Sequence, residues 1–99
     1  MSLSKAQRSH LRKLAHPLKP VVIIGQAGLT ENVIAEINVA LEHHELIKVR
    51  LNAADKAARQ KMIDSIIEQT SAEPIQAIGH ICALYRRAEK PHIVLPGQA

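Results

Sequence analysis

The chain of 99 residues has no phenylalanine, no tryptophan and a single aromatic ring of the phenyl type, Tyr85. A core built from it must be aliphatic. Recognition of nucleobases by stacking on aromatic side chains has almost nothing to work with. One cysteine, Cys82, excludes an intramolecular disulfide and fits a reducing compartment. No apolar run approaches the length of a membrane span, and the N-terminus has no apolar segment of the secretory kind, so a cytoplasmic protein without membrane contact is expected. Residues 1–19 contain no acid, and residues 31–45 contain neither lysine nor arginine.

What is present is enough for one domain. Hydrophobic residues make up 46% of the chain, which is too many for a disordered tail. The formal net charge is +4, and it is unevenly placed. Lys5, Arg8, Arg12, Lys13 and Lys19 lie at the N-terminal end, whereas Glu31, Glu36, Glu42 and Glu45 follow one another in the middle. A polyanion would be drawn to one side and excluded from another.

The segment Lys19 to Thr30, KPVVIIGQAGLT, carries the most information. Val21 to Ile24 are four consecutive β-branched residues, the pattern of a strand buried on both faces. A G-x-x-G loop follows, Gly25-Gln26-Ala27-Gly28, and Thr30 is a natural cap for a helix whose apolar positions are Val33, Ile34, Ile37 and Leu41. Glycines let another molecule's backbone approach, and a helix opening there presents free N–H groups and its positive dipole end. The arrangement suits a phosphate. An ordinary strand-to-helix turn can carry the same two glycines.

Upstream, Ser4 and Gln7 form a capping-box pair that predicts a first helix over about Lys5 to Ala15. Gln7, Leu11, Leu14 and Ala15 share one side, and Lys5, Arg8, Ser9, Arg12 and His16 the other, with Lys13 beside them. The second helix is expected over Glu31 to His43, a strand over Glu45 to Leu51, and a third helix over Lys56 to Thr70 capped by Asp55. Strands are expected over Pro74 to Ile78 and Ile81 to Arg86, around a Gly79-His80 turn. The tail from residue 89 to 99 reads as extended or loosely packed. The expected fold is α/β: one domain over 1–99 with its core over 3–88, in the order α-β-α-β-α-β-β. Three helices would accompany a four-stranded mixed sheet, with the first two strands parallel.

Taken together, the basic first helix, the run LAHPLKPVVIIGQAGLTENVIAEINVALEHHELIKVRL, the third helix and the ending IQAIGHICALYRR resemble the CRM domain, named for chloroplast RNA splicing and ribosome maturation. Its small bacterial members are the YhbY-type proteins. The resemblance runs from about Leu3 to Pro96. It implies a fold similar to the C-terminal domain of translation initiation factor three, and an RNA partner belonging to precursors of the large ribosomal subunit. It places the family's signature loop on Gly25, Gln26, Ala27 and Gly28, and a basic position on Arg86 and Arg87. Relatives commonly carry a basic residue inside that loop, whereas Gln26 and Ala27 are neutral, so Lys19 and the cations of the first helix would supply the charge. Lys48 and Arg50 could join them if strand alternation turns them toward the same side.

Nothing in the sequence argues for an enzyme. Six histidines are present, but no H-x-x-x-H pair, and His43-His44 better suit a helix C-terminus than a metal. A Cys82/His80 nucleophile pair is less economical than Cys82 as a small core residue. The phosphate-binding and dinucleotide glycine motifs of nucleotide enzymes are missing. The expectation is a monomeric, non-catalytic RNA-binding protein with no cofactor, metal or small-molecule substrate. The alternatives are a protein-interaction module, for which an exposed Val39 on the acidic helix speaks, and a basic DNA-binding protein.

Overall fold

Helix α1 (Lys5–Ala15) begins where the Ser4/Gln7 pair predicts. The Gln7 backbone N–H donates to Ser4 Oγ at 3.1 Å, and the Ser4 N–H donates to Gln7 Oε1 at 2.9 Å. This reciprocal cap contributes about 1 kcal/mol. The remaining elements are β1 (Pro20–Ile24), α2 (Glu31–His44), β2 (Leu46–Leu51), α3 (Lys56–Thr70), β3 (Glu73–Ile78) and β4 (Ile81–Tyr85). The computed structural model describes residues 3–97.

One sheet, ordered β1-β2-β4-β3, joins all four strands. β1 and β2 run parallel, as the βαβ unit requires, and the other two pairings are antiparallel. α1 packs on one face, where Leu11 and Ala15 meet Leu46, Ile75, Ala83 and Tyr85. α2 and α3 cover the other, with Ile37, Leu41, Ile63 and Ile66 against Val22, Ile24, Ile47, Val49, Leu51, Cys82 and Leu84. Alternation along β2 serves both cores, so Leu46, Lys48 and Arg50 lie on the α1 face and Ile47, Val49 and Leu51 on the other. Pro74 sits on an edge strand beside a bulge, where its missing N–H costs no ladder bond. Cys82 is wholly buried, and burial pushes its thiol up to about 11.

Three expectations are corrected. β1 is not buried on both faces: it is an edge strand, and Val21 and Ile23 are 52% and 62% exposed. An eleven-residue helix cannot cover four strands, and α1 leaves this corner of the sheet open. For the same reason Leu14, on the apolar side of α1, is 39% exposed. The tail is not loose as far as it is described. Leu95 is 1% exposed in the α1 core, Ile93 packs beside it, and the Gln7 amide donates to the Pro96 carbonyl. Residues 98 and 99 of the expected tail lie outside the described residues.

The tail is held by Glu45, which the sequence presented as the last of four acids between residues 31 and 45 and as the start of a strand; it caps α2 instead, and β2 begins one residue later. Glu45 ends α2 with φ 62° and is fully buried. Its carboxylate accepts the backbone N–H groups of Ala88 at 2.9 Å, His92 at 2.7 Å and Ile93 at 2.8 Å, with His92 Nδ1 at 3.2 Å. Burial by itself would raise its pKa. The three backbone donors and His92 outweigh that and hold it below the ordinary value.

Candidate nucleic-acid interface

The strand-to-helix loop is built by a short set of backbone bonds. β1 ends at Ile24, whose carbonyl accepts the Asn52 N–H at 3.1 Å and ties the strand end to the β2–α3 connection. The Gly28 N–H donates to the Gly25 carbonyl at 3.0 Å, closing the turn. Gly28 has φ +74°, the left-handed conformation that side chains disfavour. The Gly28 carbonyl then accepts the Thr30 N–H at 3.1 Å, and Thr30 Oγ1 caps the Val33 N–H at 3.2 Å. The N–H groups of Glu31 and Asn32 open the helix with no intrahelical acceptor available by position. Glu31 itself brings a negative charge to this first turn, which offsets part of the dipole.

Gln26 and Ala27 form the exposed tip. A Cβ placed on Gly25 would touch nothing within 4 Å, and its φ lies outside the left-handed region. Gly28 is therefore explained by the backbone, whereas nothing among the described residues requires glycine at position 25. A requirement there would come from outside, from whatever approaches the loop.

The basic residues separate into two groups. Arg8 Nη2 pairs with Glu73 Oε2 at 2.9 Å, and Nη1 donates to the Pro74 carbonyl at 3.0 Å, which fastens α1 to the start of β3. Arg86 is committed further: Nη1 donates to Asn38 Oδ1 and to the Thr70 carbonyl, both at 2.8 Å, and Nη2 to the Asn38 carbonyl at 3.3 Å. It joins α2, the end of α3 and the end of β4, so its guanidinium is a structural fork. Arg87 is exposed, but it follows Tyr85, at the opposite end of the sheet from Gly25. The structure therefore does not bring Arg8, Arg86 and Arg87 to the glycine loop.

Arg12 and Lys13 fall in the last turn of α1, and Lys5, Lys13 and Lys19 are exposed. Lys48 Nζ donates to the His16 carbonyl at the end of α1, at 3.2 Å. Arg50, exposed, is paired with Ile23, two residues before Gly25. Strand alternation thus turns both Lys48 and Arg50 to the α1 face, where they join the loop to the second half of α1. Between α1 and β1 runs an apolar groove of 480 Å³, lined by Leu14, Leu18, Val21, Leu46 and Ile93 with Lys19 at its rim. Val39 stands apart on α2, 60% exposed, as its place off the core stripe indicated.

This architecture is that of a recognised family. The family model described as the CRS1 / YhbY (CRM) domain matches residues 3–86, and the chain belongs to that family. A Haemophilus influenzae protein named "RNA-binding protein" is 50% identical over 95 residues, 96% of each chain. A Pseudomonas aeruginosa protein named "Probable RNA-binding protein" is 39% identical over 92 residues, 93% of this chain and 88% of its own. Among solved structures, the solution structure of a Staphylococcus aureus protein superposes with a TM-score of 0.83 at 34% identity, covering 96% of this chain and all of that one.

Proposed function

We propose that this protein binds RNA, performs no catalysis on it, and serves in assembly of the large ribosomal subunit. The observation that carries the reading is the open turn from Gly25 to Gly28, set at the N-terminus of α2 in a chain of the CRM family. Phosphates would meet the loop backbone and the first N–H groups of α2, while Lys13, Lys19, Lys48 and Arg50 extend the positive surface. Relatives named as RNA-binding proteins support the partner class. The ribosomal assignment rests on the family resemblance, and we place the protein in the cytoplasm as a monomer.

The test is sedimentation of cell extract with increasing salt. The protein should travel with mature or precursor large subunits at low salt and be released as salt rises. Three to five phosphate contacts on single-stranded RNA give a log-log salt slope of about −2 to −3.5 for the purified protein. A slope near zero removes the electrostatic account, and migration with the small subunit alone removes the ribosomal one. A second reading, a protein-interaction module, is favoured by the groove along Leu14, Leu18 and Val21. Association with ribosomal particles that survives ribonuclease would favour it. Competition between RNA and duplex DNA of equal length tests a DNA partner.

A further inference from the structure

The strand register assembles a surface that no one segment of the sequence displays. Ile23 is opposite Arg50, Arg50 opposite Ile81, and Ile81 opposite Ile78, so one row crosses all four strands on the α1 face. Directly below it, Lys48, Ala83 and Gln76 form a second row. α1 covers Ala83 of the second row and stops short of the first: His16, at its end, borders a shallow cavity of 270 Å³ whose other walls are Lys48, Gln76, Ile78, Ile81 and Ala83. The row is open to solvent at both edges, with Ile23 62% and Ile78 65% exposed, and Arg50 stands exposed between the apolar positions. Neither row contains a carboxylate.

We infer that this Ile23–Arg50–Ile81–Ile78 row is a platform for unpaired RNA bases, continuous with the glycine loop that holds the phosphates. The inference deepens the RNA-binding reading above and rests on it. Three observations select this occupant. Ile23 lies two residues before Gly25, so a strand whose backbone is clamped at the loop delivers its neighbouring bases onto the row. Arg50 and Lys48 are cationic and unopposed by acids within the rows, which matches a polyanion. A four-stranded sheet is also the surface on which other RNA modules lay two or three bases, there on aromatic rings.

Here the rings are replaced by flat aliphatic contact and by a guanidinium plane, which stacks on bases as rings do. The Gln76 amide at the far side offers both a donor and an acceptor to a base edge. The scarcity of aromatics therefore does not exclude base contact; it changes the chemistry of the contact. The preferred ligand is RNA with unpaired nucleotides beside a structured segment, because bases in a duplex cannot lie on the row.

The experiment compares three RNA probes by fluorescence anisotropy: a mixed-sequence single strand, an abasic strand of the same length, and a duplex of the same length. Wild type should bind the single strand at least about fivefold more tightly than the abasic strand, which has the same phosphates. The double variant Ile23→Thr with Ile78→Thr keeps the β-branched shape strands favour and removes apolar contact. It should weaken single-strand binding about fivefold and leave the abasic strand unaffected. Arg50→Lys keeps the charge without the planar stack and should weaken binding of the single strand more than binding of the abasic strand. Equal affinity of wild type for base-bearing and abasic strands overturns the platform, and this comparison needs no variant to fold. RNA affinity unchanged in the double variant also overturns it, including where that variant loses self-association and so assigns the face to a second copy. If Gly28→Asp weakens binding while the platform variants do not, the platform falls and the phosphate site stands. If wild type binds none of the probes, the RNA-binding reading itself fails.

Discussion

Replacing Gly28 by aspartate and by alanine isolates the electrostatic part of the loop's action. Both side chains enter open space, since a Cβ at this position meets nothing within 4 Å. Both carry the backbone penalty of a left-handed φ of +74°, about 1–2 kcal/mol for alanine. Aspartate tolerates that conformation better, and its charge near the N-terminus of α2 favours the helix dipole. The aspartate variant should therefore be no less stable than the alanine variant. What separates them is repulsion of an incoming phosphate. Two unit charges about 6 Å apart, in an effective dielectric of about 40–80, repel by roughly 0.7–1.4 kcal/mol. That is about three- to tenfold in Kd, shrinking as salt is added. Anisotropy titration of a labelled RNA with both folded variants measures it. Equal Kd for the two would refute a phosphate at this loop.

Within α1, Arg8 and the last-turn cations should part company. Arg8→Glu should cost about 1–2 kcal/mol in a urea melt, because it breaks the Glu73 pair and the bond to Pro74. Arg12→Glu with Lys13→Glu should change stability by less than about 1 kcal/mol while weakening RNA binding at least about tenfold. Arg86→Lys should cost about 2 kcal/mol in the same melt, since an ammonium cannot reproduce the fork to Asn38 and Thr70, and a stability equal to wild type would contradict the structural role. Glu45 has a lowered folded pKa, so its contribution is complete above the unfolded value and is lost as pH falls through the folded one, below the ordinary 4.5. Tm measured from about pH 6 down to about pH 3 should fall in wild type, and Glu45→Gln should flatten that acid limb.

The elements were legible wherever a local device fixes them. The Ser4/Gln7 box, Thr30 and Asp55 mark helix starts, and each makes the predicted bond. The order of elements and the parallel β1–β2 pair follow from periodicity and from the chain length of a crossover. The glycine loop was visible because positive φ and helix caps are written in neighbouring residues. The roles of charged side chains were not. Arg8 and Arg86 read as free cations, yet their partners Glu73, Asn38 and Thr70 are brought to them by packing alone. Glu45 read as one more acid, at the start of a strand, and only the return of the tail supplies its three donors. The open row from Ile23 to Ile78 depends on register across three strand pairings and on where an eleven-residue helix stops. Capping and periodicity act over a few residues and are fixed by sequence. Whether a charge is paired, or an isoleucine is covered, depends on residues far away in the chain, and the tertiary structure decides it.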